Sequence, residues 1–358
     1  MEEHGGNIFD KNIRLDFSVN INPFGMPESV KKAALEGVAL AYRYPDIEKR
    51  ELRKALGRKL QISPGRIVTG NGAAELIYAI AAAFEPGKAA VLGPTFGEYE
   101  KALRIHGWQV MHYLARREEG YRFTEKALEW IEKEEGLSAV FLCNPNNPTG
   151  MLADGGFLKK LADLCHRKQM LLVVDECFLE LTGQGEGKSL RYLQEQYPEI
   201  LILRAFTKIY AMPGLRLGYA LTANEATAKR LENILPPWNV SAPAQMAGCA
   251  ALEEDAFVRE SKEFLLKEEK WMEEKLTELG FFVWPSDTIF CMFEGEEGLQ
   301  EACLKQGIYI RDVASFPGIR KGTYRIGIRR HEDNVQLLEV LKTCGDIGKR
   351  REQWQKRS

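Results

Sequence analysis

Leu203-Arg204-Ala205-Phe206-Thr207-Lys208, followed by Pro213-Gly214-Leu215-Arg216-Leu217-Gly218-Tyr219, is an apolar run that ends on a lysine and is answered by a second apolar run, with an arginine eight residues beyond the lysine. Residues 201–203 and 217–221 have the length and apolarity of buried strands. A lone lysine after a strand is ordinarily a surface residue, so the meaning of Lys208 depends on its surroundings. Outward from it lie four more such runs, at 67–68, 89–92, 139–142 and 171–174, separated by helical patterns at 74–84, 98–106 and 157–168. That alternation predicts an α/β fold, a mostly parallel sheet between two layers of helices. After Pro236-Pro237 the texture changes to a long charged helical stretch over 255–279 and β-rich pieces at 281–293, 307–310 and 324–328, which predicts a second, α+β domain. The first forty residues carry several Gly, Asn and Pro and no strand-helix-strand pattern, and so read as an arm. The expected division is an arm over 1–40, a large domain over 41–238 and a C-terminal small domain over 239–358.

The chain of 358 residues is 45% hydrophobic and 28% charged, an ordinary globular balance that excludes disorder and a small disulfide scaffold. Its formal net charge of −2 offers no global field for nucleic acid or an anionic membrane, so any bound anion must be held locally. The seven cysteines are scattered with no C-x-x-C pair, which argues against structural zinc and for a reducing compartment. Acidic Glu2 and Glu3 and the lack of a long apolar run predict a soluble, cytoplasmic protein without a signal peptide or membrane span. The basic tail over 348–358 reads as a solvated end.

The lysine string resembles the corresponding segment of fold-type I pyridoxal-phosphate enzymes, the aspartate-aminotransferase superfamily. The resemblance implies that Lys208 carries pyridoxal 5'-phosphate covalently and that Thr207 and Arg216 hold its phosphate; an amine can condense with the cofactor aldehyde, and a guanidinium fork matches phosphate. Further matches follow in the family's order. Asn147, in Asn144-Pro145-Asn146-Asn147-Pro148-Thr149-Gly150, implies a hydrogen bond to the pyridoxal oxygen, where the bare sequence shows a turn with a proline of either isomer. Asp175, at the end of 171–174, implies a partner for the pyridine nitrogen, where the plain alternative is a helix cap or ion pair. Gly72, Ala73 and Ala74 form a strand-to-helix turn whose free amides suit a phosphate. Phe96 matches the aromatic that stacks on the ring, and Tyr44 the tyrosine that reaches the cofactor of a partner subunit, which implies a homodimer. Arg325 matches the arginine that grips a substrate carboxylate. Three positions depart from the pattern: Ala205 and Ala73 stand where relatives carry hydroxyls, and Phe178 replaces a common tyrosine.

The opening His4-Gly5-Gly6-Asn7, with Asp16-Phe17-Ser18-Val19-Asn20-Ile21-Asn22-Pro23-Phe24-Gly25, closely resembles that of the L-threonine-O-3-phosphate decarboxylase family of cobalamin biosynthesis. That likeness implies a small phosphorylated amino acid as substrate, held by His4, Gly5, Asn20, Asn147, Arg311 and Arg325, and decarboxylated to (R)-1-amino-2-propanol O-2-phosphate. It also implies that the arm joins the small domain. The plain alternatives are a structureless end for His4 and an ion pair to Asp312 for Arg311. A histidinol-phosphate or related aminotransferase is the rival reading, and a non-catalytic cofactor-dependent sensor a remoter one, disfavoured by the presence of both Lys208 and Asp175.

Overall fold

The computed structural model describes residues 5–344. Its elements, in chain order, are β1 (Leu15–Asp16), α1 (Glu28–Ala39), α2 (Arg50–Leu60), β2 (Ile67–Gly70), α3 (Gly72–Ala83), β3 (Lys88–Gly93), α4 (Glu98–Ile105) and β4 (Gln109–Leu114). Then follow α5 (Glu125–Lys133), β5 (Leu137–Cys143), α6 (Gly155–Arg167), β6 (Leu171–Asp175), β7 (Ile200–Ala205), β8 (Gly218–Leu221), α7 (Glu225–Glu232) and α8 (Ala242–Ala251). The last third holds α9 (Asp255–Glu278), β9 (Phe282–Trp284), β10 (Phe290–Glu294), α10 (Leu299–Lys305), β11 (Ile308–Tyr309), β12 (Arg311–Asp312), β13 (Thr323–Gly327) and α11 (His331–Thr343).

Seven strands form one sheet in the order β2-β8-β7-β6-β5-β3-β4. Only β8 runs against the others, pairing antiparallel with both β2 and β7. The central strands carry near-continuous apolar runs because both faces are covered: Ala90, Leu92, Val140, Leu142, Leu172 and Val174 enter one core, and Ala89, Val91, Ala139, Phe141 and Val173 the other. The sequence reading missed β4. This edge strand, Gln109-Val110-Met111-His112-Tyr113-Leu114, is exposed at both ends and half-buried between, so it lacks the apolar run that betrays its neighbours. Within the arm it also passed over α1, which packs tightly on α8: a Cβ on Gly37 would fall 2.5 Å from Pro243 Cα.

The second sheet, β12-β13-β10-β9, is antiparallel. Residues 15–17 are threaded onto it from the other end of the chain. β1 pairs with β11 in parallel, the Phe17 amide donates to the Tyr309 carbonyl, and the Gly327 amide donates to the Phe17 carbonyl. No helix among the described residues is long and apolar enough to cross a membrane, and all seven cysteines are free thiols.

Candidate active site

Because six of the seven large-sheet strands share a direction, the loops after β2, β3, β5, β6 and β7 emerge on one side, the usual place for a site in such sheets. A cleft of about 290 Å³ lies there, walled on the far side by the strap over 15–20 and by β12 and β13. It collects Ala73 and Ala74 from the start of α3, Phe96 from the loop after β3, Asn147 after β5, Asp175 at the end of β6, Thr207 and Lys208 after β7, and Arg216 before β8. From the chain ends it collects Gly5, Asn20, Arg311 and Arg325. His4 lies outside the described residues. Tyr44 does not line this cleft; it is exposed and its ring stacks on Trp238, centroids 4.4 Å apart. Gly72 sits just beneath the lining, at φ +80°, and a Cβ there would fall 2.5 Å from Arg216 Nη2, so a side chain would evict the guanidinium from the helix start.

Lys208 faces the Phe178 ring, its Nζ 5.6 Å from the centroid. Burial lowers its pKa to about 8, against the pull of Cys177 and Asp175 and with Arg325 and Arg216 adding to the fall. Its neutral, nucleophilic form is therefore far more accessible than that of an ordinary lysine. Asp175 is a fixed acceptor: Oδ2 accepts the Tyr99 hydroxyl at 2.6 Å and Oδ1 the Cys177 amide at 2.9 Å. Burial and the adjacent carboxylate push the Tyr99 phenol well above its usual range, so it remains a neutral donor. The same two causes raise the Cys143 thiol to about 12, which makes it an inert wall.

The far wall is built differently. Arg311 and Arg325 are register partners on β12 and β13, both buried. Arg325 donates Nη1 to Asn147 Oδ1 and Nη2 to the Ser18 carbonyl at 2.6 Å, while its buried Nε has no partner among the described residues. Burial and the Arg311 charge lower its pKa to about 9. Asn20 Oδ1 is likewise buried without a partner. The expected alternative for Arg311, a pair with Asp312, is not made; the Asp312 carboxylate instead accepts the Ala314 amide at 2.8 Å. Among the described residues none of Lys208, Arg216, Arg311 and Arg325 makes an ion pair with a carboxylate. Tyr99, Ser18, Cys143, Cys177, Ser315 and Phe316 also line the cleft and were not singled out from sequence. Tyr99 lies three residues beyond Phe96; Ser315 and Phe316 follow shortly after Arg311 and carry no pattern of their own.

Residues 12–341 match the family described as aminotransferase class I and II. The chain belongs to that family. Threonine-phosphate decarboxylase of Salmonella typhimurium is 35% identical over 351 residues, 95% of each chain. Among solved structures, the histidinol-phosphate aminotransferase from Clostridium acetobutylicum has a TM-score of 0.85 at 31% identity, over 92% of this chain and 98% of that one. L-threonine-O-3-phosphate decarboxylase from Porphyromonas gingivalis has a TM-score of 0.82 at 25% identity, over 92% and 99%. In this member of the class I and II aminotransferases the cleft fits pyridoxal 5'-phosphate. First-turn amides of α3 have no intrahelical acceptor, the missing Cβ of Gly72 admits Arg216 beside them, and a lysine amine and a fixed carboxylate occupy the same cleft.

Proposed function

We propose that the chain decarboxylates L-threonine O-3-phosphate with pyridoxal 5'-phosphate, giving carbon dioxide and (R)-1-amino-2-propanol O-2-phosphate, the linker unit of cobalamin. The observation that carries this reading is the pair Arg311 and Arg325, buried side by side without carboxylate partners and opposite Lys208. Two adjacent cations at that wall suit a substrate bearing both a carboxylate and a phosphate.

In this reading Ala73, Ala74, Thr207 and Arg216 hold the cofactor phosphate, Phe96 covers the ring, Asn147 reaches its oxygen and Asp175 its nitrogen. When bound, the cofactor supplies an aldehyde that takes up amines and a protonated ring that withdraws electrons from the bond to be broken. Lys208 Nζ holds the proton that replaces carbon dioxide on the substrate's α-carbon, and its lowered pKa makes that transfer easy near neutral pH. Arg325, Arg311, Asn20 and Gly5, with His4, fix the two anionic groups and so choose which bond stands perpendicular to the ring. Tyr44 serves the neighbouring site of a homodimer; its exposure together with Tyr42, Ile47 and Trp238 supports a covered face there.

The test is incubation of holoenzyme with L-threonine O-3-phosphate, with mass-spectrometric detection of product and measurement of released carbon dioxide. Product formed without any 2-oxoacid is expected. Amino transfer from histidinol phosphate that requires 2-oxoglutarate, with no carbon dioxide released, would overturn the reading in favour of the aminotransferase. Discrimination by one methyl is worth about 1–3 kcal/mol, so L-serine O-phosphate is expected to react as a poorer substrate.

A further inference from the structure

Ser18 has no place in the roles above, yet three separate parts of the substrate wall meet on it. Its hydroxyl accepts the Gly6 amide at 2.9 Å and donates to Asp16 Oδ1 at 2.6 Å, and its carbonyl accepts Arg325 Nη2 at 2.6 Å. The residue is fully buried. Its backbone cannot drift, because the Phe17 amide and carbonyl on one side are tied to Tyr309 and Gly327, and a Cβ on Gly327 would fall 2.2 Å from the Val19 carbonyl on the other. Gly5 lies flat against the same residue: a Cβ there would fall 2.3 Å from the Ser18 carbonyl oxygen. Among the described residues the bond to Ser18 Oγ is the one hydrogen bond that holds the Gly5-Gly6 step. Gly5 and Arg325 both line the cleft.

We propose that Ser18 is a positioning residue for the substrate's anionic groups, latching Gly5-Gly6 over the cleft through its hydroxyl while aiming Arg325 through its carbonyl. The inference rests on the proposed function for the identity of the substrate and on the geometry alone for the latch. Removing the hydroxyl frees the glycines and leaves the carbonyl contact to Arg325, so binding suffers and the chemical step does not.

Ser18→Ala is expected to raise KM for L-threonine O-3-phosphate about fivefold, the worth of one hydrogen bond, with kcat within twofold and the cofactor absorbance and affinity unchanged. Hydrogen exchange of a peptide spanning residues 5–14 in the holoenzyme should speed up in the variant, and inorganic phosphate should slow it in the wild type but not in the variant. Gly5→Ala, which pushes on the Ser18 carbonyl from the opposite side, should raise KM by a larger factor and serves if Ser18→Ala does not fold. An unchanged KM with faster exchange overturns the substrate role, and unchanged exchange overturns the latch itself. If the wild type makes no aminopropanol phosphate, the functional reading fails on its own, and the exchange arm with inorganic phosphate still decides the latch.

Discussion

Two of the arginines buried on strands of this molecule, Arg204 and Arg325, are held in opposite ways. Arg204, on β7, gives Nη2 to Glu176 Oε2 at 2.7 Å and Ser189 Oγ at 2.8 Å, with Nη1 on Glu186 Oε2 at 2.5 Å. Arg325, on β13, gives its donors to two neutral oxygens and keeps one buried N–H that has no partner among the described residues. The first has its charge cancelled inside the protein, and Glu176 is satisfied in turn by Ser189 and the Leu190 amide. The second has no carboxylate partner among the described residues, and burial and the Arg311 charge alongside disfavour its cationic form. A buried cation without a counter-ion is costly unless something outside the chain completes it, so the difference separates an arginine that braces the fold from one that awaits an anion.

The cleft cations should therefore fail chemically when removed, and Arg204 should fail structurally. The largest effect is expected from Lys208→Ala, a loss of turnover of more than about 10³-fold with the fold retained; retained carbon dioxide release would break the assignment. Arg204→Met should strand the Glu176 carboxylate and cost about 3–5 kcal/mol, read as a lower urea midpoint, while KM of the folded enzyme stays within twofold. A raised KM with intact stability would erase the contrast. Arg325→Gln should lower kcat/KM by about 100-fold, the scale of one or two charged hydrogen bonds, and leave the urea midpoint unchanged or higher. Tyr99→Phe should lower kcat only about fivefold and shift the pH at which the holoenzyme absorbance changes, since Asp175 loses its neutral donor.

A final prediction sharpens the comparison through pH. In the cofactor-free enzyme the pKa of Lys208 falls from 10.5 in the unfolded chain to about 8 when folded. Between those values the unfolded state binds more protons, so stability contributed by this site rises with pH across that window and is lowest below pH 8. Lys208→Met should therefore be more stable than the wild type at pH 7, and the gap should narrow towards pH 10.

The large sheet and the residues it gathers in the cleft were legible because both are written locally. Asp175 ends an apolar strand, Lys208 follows another, and Gly72 to Ala74 joins a strand to a helix, so each role sits in a contiguous string. The strands read from sequence were those buried along their length, the edge strand β2 included, and β4 was lost because its exposed ends and half-buried residues interrupt the apolar run. Tyr99 and Ser18 escaped for another reason. Their meaning lies in partners 76 and 307 positions away, Asp175 and Arg325, and no spacing rule links residues so distant. A buried tyrosine and a serine in an arm look ordinary until their hydrogen bonds are seen.

That long reach has a consequence for the order of events during synthesis. The strand that ends on Asp175 and the one that leads to Lys208 pair with their neighbours within residues 67–221 and can assemble while the rest of the chain is still being made. Residues 15–17 have no sheet partner until Ile308, Tyr309 and Gly327 emerge. The floor proposed to hold the cofactor can thus form early on the ribosome, and the wall proposed to recognise substrate closes only after residues 308–327 have followed.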